Sequence, residues 1–219
     1  MKTFSITPFL ITLALLFSIG MGCSSTPVDE NDPADLMKEA EGEISTDHYQ
    51  IAIDKLRALK NKFPYSKYAI DAQLRIADVY FLQESFAEAA GSYEAFSDLH
   101  PKHEKASYAM YRTARSYFSD APTNIARDLT SAHRALDAYQ LFLRRFPTAP
   151  EVKDARKDIN DLRQLLANRE FYIGDFYFIR NFYDSAKPRF EKIIELYPET
   201  EAAQKSQALL KKIPAKPKE

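Results

Sequence analysis

Apolar residues recur along this chain at spacings of three and four, the period of helices that bury one face. From about Ala34 to Ile44 they are Leu36, Met37, Ala40 and Ile44; from Tyr49 to Lys62 they are Ile51, Ile53, Leu56 and Leu59. The pattern predicts further helices over roughly Tyr68 to Gln83, Phe86 to Leu99, Lys105 to Phe118 and Leu129 to Arg145, then Glu151 to Ile179, Ala186 to Tyr197 and Glu201 to Lys212. Phe63-Pro64, His100-Pro101 and Phe146-Pro147 each close a second helix, because the residue before proline is pushed out of the α region. Pro122 and Asn124 interrupt the chain between Ser119 and Ile125, and Asn181 to Asp184 turns it again. Pro188 is expected in the first turn of the returning helix, where its missing N–H is tolerated. Glu151 to Asp158 carries charge on most faces and reads as solvated.

A longer period lies over the helical one. Counting from Ala167, Gly174 is eighth, Tyr177 eleventh, Ala186 twentieth, Phe190 twenty-fourth and Pro198 thirty-second. Counting from Ile70 puts Ala77, Tyr80, Ala89, Tyr93 and Pro101 at the same five offsets. From Ser107, Ala114 and Tyr117 fit directly, whereas Ala135, Tyr139 and Pro147 fit after about nine extra residues. From Pro33, the unit keeps Ala40, Ala52, Leu56 and Pro64 but has Glu43 in place of its first aromatic. Small residues allow paired helices to cross closely, aromatics fill the space beside the crossing, and proline stops the second helix. This is the tetratricopeptide pattern, whose repeat is about 34 residues long. The expected fold is all-α, a tetratricopeptide-repeat superhelix of four to five helix pairs over residues 34–213. The chain stops soon after the fifth first-helix, which leaves the last pair short of its second helix.

Composition agrees: glycine numbers 5, tryptophan is absent, and the 13 tyrosines and 15 phenylalanines suit stacked helices with aromatic knobs. A net charge of −1 supplies no global field to recruit nucleic acid. Residues 1–22 read as a lipoprotein signal peptide, with Lys2 as the positive end and Phe9 to Ile19 as an apolar core too short for a membrane span. Gly20-Met21-Gly22-Cys23 resembles a bacterial lipobox, with Gly20 where leucine is usual. Cys23, the lone cysteine, is then the acylated N-terminus of the mature chain; the other reading is an ordinary signal peptide that leaves a free thiol. An acyl and diacylglycerol lipid on Cys23 is the only group expected, with no other cofactor. Residues 23–33 form a lipidated tether and 214–219 a disordered tail. Ser24 after the cysteine favours the outer membrane by resemblance, with the mature chain facing the periplasm.

No catalytic constellation stands out, and no Gly-rich phosphate loop, G-x-S-x-G or H-E-x-x-H occurs. His100-Pro101-Lys102-His103-Glu104 gathers two histidines and a glutamate, but a proline-bounded turn explains them without metal. The chain therefore reads as a binding protein and not an enzyme. In such arrays the first helix of each pair lines the concave face. By phase that face includes Met37, Glu41, Ile44 and Leu74, with Asp71, Arg75, Asp78, Phe81, Tyr108, Arg112 and Arg115 as a candidate peptide-binding groove. Aromatics with arginine suit peptide recognition; inter-repeat packing, with Arg112 and Arg115 paired to Asp78 or Asp175, is the plainer use.

The segments Lys62-Phe63-Pro64-Tyr65-Ser66-Lys67-Tyr68-Ala69, His100-Pro101-Lys102-His103 with Tyr108-Ala109-Met110-Tyr111, and Phe142-Leu143-Arg144-Arg145-Phe146-Pro147 occur in series. Glu170-Phe171-Tyr172-Ile173 and Tyr197-Pro198-Glu199-Thr200 follow them. With the lipobox, these make the chain resemble the BamD/ComL family of outer-membrane lipoproteins that assist β-barrel assembly. The resemblance implies a scaffold that binds the periplasmic domain of an Omp85-type insertase, receives unfolded outer-membrane proteins and works beside other assembly lipoproteins. On that reading Asp175, Phe178 and Arg180, chosen by repeat phase, would face the insertase. The alternative is another tetratricopeptide envelope lipoprotein, a cell-constriction coordinator or secretion pilot.

Overall fold

The computed structural model describes residues 31–214. The signal segment, Cys23, most of the tether and the tail from residue 215 lie outside the described residues. Among the described residues the chain forms nine helices and no strand. They are α1 (Pro33–Ser45), α2 (Tyr49–Lys62), α3 (Lys67–Leu82), α4 (Phe86–Leu99) and α5 (Ala106–Asp120), then α6 (Thr130–Arg145), α7 (Val152–Phe178), α8 (Tyr183–Leu196) and α9 (Glu201–Leu210). Each helix packs on its neighbour in sequence, and short connections make such neighbours antiparallel. The odd-numbered helices also approach one another, α1 to α3, α5 to α7 and α7 to α9, with no even-numbered pair comparably close. The array therefore curves with the odd-numbered helices inside.

The small residues at the two crossing positions are sealed. Ala40, Ala52, Ala77, Ala89, Ala114, Ala135 and Ala186 all have zero exposure, as do Tyr93, Tyr139 and Phe190 beside them. Leu56 takes the aromatic's place in the first pair and is equally buried. Gly174 shows why a small residue is needed. A Cβ there would fall 2.7 Å from the Cε1 of Phe190. The buried residues form three clusters, over α1–α3, α3–α5 and α5–α9, each spanning neighbouring helices, so stability comes from stacking neighbours, as in other solenoids.

Turns repeat as well. Asp47, Glu84 and Asn181 close the first, second and fourth pairs in the left-handed region, with φ of 60°, 61° and 63°. Counted in repeat phase all three hold the fifteenth position. Ala121 holds that position in the third unit, but its φ of −69° and ψ of 128° send the chain outward into the loop 121–129. The extra residues of the third unit therefore begin where its siblings turn.

Two expectations are corrected. α8 starts at Tyr183, where Phe182 O accepts from the Ser185 and Ala186 N–H groups and Tyr183 packs edge-on to Phe178 at 5.6 Å. Pro188 is thus inside the helix and beyond its first turn. Pro188 and Asp184, whose carbonyl the lost N–H would have met, are both exposed, so the gap falls on the solvent side. The second correction concerns Glu151 to Asp158, which is not solvated throughout: Ala155 and Asp158 are buried on the stripe that continues through Leu162 and Leu166. Among the described residues, α9 is the last helix. It turns Ala202, Ala203 and Ser206 inward and leaves Gln204, Lys205 and Gln207 exposed.

Candidate functional site

The concave face brings the seven groove residues together and couples most of them to one another. Arg75 on α3 donates from Nε and Nη2 to both carboxylate oxygens of Glu41 on α1, each at 2.7 Å. Lys105 reaches Asp71 at 2.8 Å. Both pairs join residues 34 apart across neighbouring helix pairs and so tie each repeat to the next. Arg75 also lies 3.5 Å from Asp78, whose Oδ1 accepts from the Tyr93 and Tyr108 hydroxyls at 2.6 and 2.8 Å. Burial, then the Asp78 charge, pushes both phenols up, Tyr108 to about 12. Arg112 lies 3.8 Å over the Phe81 ring and donates from Nε to Tyr93 Oη at 3.2 Å.

A second node joins α5, α6 and α7. Arg115 donates to Asp158 Oδ2 at 2.7 Å, and the Tyr139 hydroxyl donates to the same oxygen at 2.5 Å. Asp158 is 4% exposed, a placement tolerable because two donors replace its water. The partner of Arg115 is therefore Asp158, and neither Asp78 nor Asp175. The repeat offsets do not reach Asp158, but its place on the Ala155–Leu162–Leu166 stripe was a signal that it faces inward. Leu74 and Ile44, placed on the groove by phase, belong to the core at 4% and 7% exposure.

At the C-terminal end the three chosen residues divide. Phe178 turns inward, its ring centroid 6.1 Å from that of Phe190, and Asp175 is half-buried. Arg180 is exposed, lies 3.7 Å over the Phe176 ring and donates to the Phe176 carbonyl at 3.0 Å. The accessible apolar surface is instead Tyr172, Phe176 and Ile179, spaced by four and three along the end of α7, with Phe182 beyond. A helix this rich in aromatics cannot turn all of them inward, and that excess was the sequence signal for the stripe.

Depressions open among the described residues, one of about 240 Å3 between the loop 121–129 and α7, lined by Asp128, His133, Arg169 and Tyr197. A cleft of about 700 Å3 lies over α5 between α4 and α6, rimmed by Glu94, Asp98 and Asp137 and by Arg134, Arg144 and Arg145. A smaller notch of about 220 Å3 lies on the concave side between the end of α5 and α7, lined mainly by Phe118, Pro122, Leu162 and Leu165. His100 meets Gln73 Oε1 at 3.2 Å, and both His100 and His103 pack against Phe96. Among the described residues no group of three or more histidine, cysteine or acidic side chains gathers in metal-holding geometry. No described helix is long and apolar enough to cross a membrane.

Several known proteins are similar to this chain. The outer membrane protein assembly factor BamD of Vibrio cholerae is 30% identical over 209 residues, covering 90% of this chain and 85% of its own. The protein of the same name from Neisseria meningitidis serogroup A is 28% identical over 184 residues, covering 80% of this chain and 69% of its own. A solved tetratricopeptide repeat protein from Parabacteroides merdae superposes loosely, with a TM-score of 0.42 and 18% identity over 83% of this chain and 59% of its own. The sequence profile of one family, YfiO, described as outer membrane lipoprotein, matches residues 29–216, from just before α1 to just past α9. Helices, turns and stacking nodes alike lie within that match, and the chain belongs to the YfiO family of outer membrane lipoproteins.

Proposed function

We propose that the chain is an outer membrane protein assembly factor, a non-catalytic scaffold held at the outer membrane and facing the periplasm. The observation that carries this is likeness to BamD over nine-tenths of the chain, together with the family match across the whole array. The anchor is a lipid on Cys23, and the partners are the periplasmic domain of an Omp85-type insertase, other assembly lipoproteins and unfolded outer-membrane proteins. Multiple acyl chains give durable attachment, so the array needs no spanning helix of its own.

The insertase contact is assigned to the C-terminal repeats, with Arg180 and the accessible Tyr172, Phe176 and Ile179 forming the surface and Asp175 and Phe178 supporting it. The unfolded chain is assigned to the concave face. There Asp71, Arg75, Asp78 and Arg112 hold the repeats in register, and Phe81, Tyr108 and Arg115 supply partly exposed aromatic and cationic surface. Gentle solubilisation of membranes and capture of the full-length protein test the assignment, with Cys23→Ala as the control. Recovery of a large Omp85-type barrel protein is expected, with the Cys23→Ala protein shifted from membrane to soluble fractions. A constriction or secretin protein in its place would refute the assembly role.

A further inference from the structure

The notch on the concave face arises where the third unit departs from the repeat. At Ala121 the backbone leaves the turn taken by the other pairs, and Pro122 and Thr123 then stand opposite Leu162 and Leu165 of α7. Phe118 forms the third wall. Arg115 stacks 4.9 Å over its ring and is itself fixed by Asp158, so this wall is preorganised. At about 220 Å3 the space exceeds that of a trapped water, which takes about 30 Å3, and falls short of the roughly 300–1,000 Å3 of a cofactor or drug-sized pocket. It is the size of one large side chain. The exposed carboxylate of Asp161 stands on the rim, held by nothing closer than Lys157 at 3.8 Å one turn earlier.

We propose that this notch is a side-chain pocket for one aromatic or leucine-sized residue of an extended polypeptide, with a basic residue next to it meeting Asp161. The inference deepens the proposed reception of unfolded chains on the concave face and rests on it. It moves the point of recognition from the ion-paired first repeats to the junction of α5 and α7. The apolar walls select the side chain by exclusion of water, and the exposed carboxylate, only loosely paired with Lys157, selects the sign of its neighbour.

The test uses the full-length protein and a fluorescein-labelled peptide of alternating serine and threonine with one central Phe followed by Lys. Anisotropy titrations compare it with peptides carrying Ala for the Phe or Glu for the Lys. Phe→Ala is expected to weaken binding about tenfold or more, the effect of burying one aromatic ring at a partly open site. Lys→Glu is expected to weaken it by about threefold, as for an exposed ion pair. Ala121→Trp fills the notch and should erase the preference for Phe over Ala. Leu165→Ala widens it and should raise binding of a Trp peptide relative to the Phe peptide; this keeps the test decisive if Ala121→Trp misfolds. Equal binding of the Phe and Ala peptides overturns the pocket and leaves the receiving role standing. Failure of every peptide to bind the wild-type protein overturns both.

Discussion

Asp158 carries the most exacting prediction, because a single carboxylate oxygen holds three helices together. Asp158→Ala strands the Tyr139 hydroxyl, on a residue with no exposure, and an unsatisfied buried hydroxyl costs about 1–3 kcal/mol. Arg115 loses its anion too, but with a side chain 36% exposed it regains water, so its contribution stays below the roughly 3–5 kcal/mol of a wholly buried pair. The expected total is about 2–3 kcal/mol. Asp158→Asn keeps an acceptor of nearly the same volume and should lose only about 1 kcal/mol. Removing the stranded hydroxyl as well, in Asp158→Ala/Tyr139→Phe, should restore about 1 kcal/mol relative to Asp158→Ala alone. Thermal unfolding followed by circular dichroism reads these differences, at about 2–4 °C per kcal/mol for a chain of this size. If Asp158→Ala melts with the wild type, or the double variant is no more stable than the single one, the node does not brace the array.

Gly174→Ala gains about 1 kcal/mol of helix propensity but drives a Cβ into Phe190, which is buried between Phe171 and Phe178; overpacking of about 1–3 kcal/mol should outweigh the gain and lower the melting temperature. Gly91→Ala is the converse control. Nothing lies within 4 Å of its new Cβ, so that variant should melt higher, by up to about 1 kcal/mol of stability. Acid should loosen the C-terminal repeats. The hydrogen bond from Arg163 holds the Glu199 carboxyl below its ordinary 4.5, and at Glu170 the bonds from Lys192 and Arg189 outweigh the opposing effect of burial. Depressed carboxylates stabilise above their unfolded value and lose that contribution as pH falls through the folded one, so the loss should begin below about pH 4.5. Arg163→Ala should flatten part of this acid limb in melting scans; an unchanged slope would show that the pair is not its source.

Most of the fold was legible because its determinants are local or periodic. Ala77, Ala89 and Tyr93 announce a crossing by type and spacing alone, and prolines mark the helix ends that follow from steric exclusion. Of the left-handed turns, the one at Asn181 was marked by its breaker residues, whereas those at Asp47 and Glu84 carry no glycine or asparagine and give no such signal. The start of α8 was hidden for a related reason: the proline marks a helix start, yet its lost bond falls on exposed Asp184, so the helix extends back to Tyr183. At the candidate site, phase placed residues along the odd-numbered helices but did not give their depth. Asp158 is charged yet buried, and only the meeting of Tyr139 and Arg115 from two other helices makes that placement tolerable. Phe178 and Phe176 are the same residue type two positions apart. Which of them faces inward is settled by where α8 lies, a fact that composition cannot supply.

The length of α7 has a mechanical consequence. Its 27 residues make a rod of about 40 Å that serves as the first helix of one hairpin and as the closing wall of the one before. It contains no proline, and its glycine is clamped against Phe190. Leu165, at the apolar notch, and Phe176, on the accessible stripe, are therefore fixed to a single rigid body about 16 Å apart along its axis. A tilt imposed at one station arrives at the other without a joint to absorb it. Cargo and neighbour would each feel the other's load through the same strut.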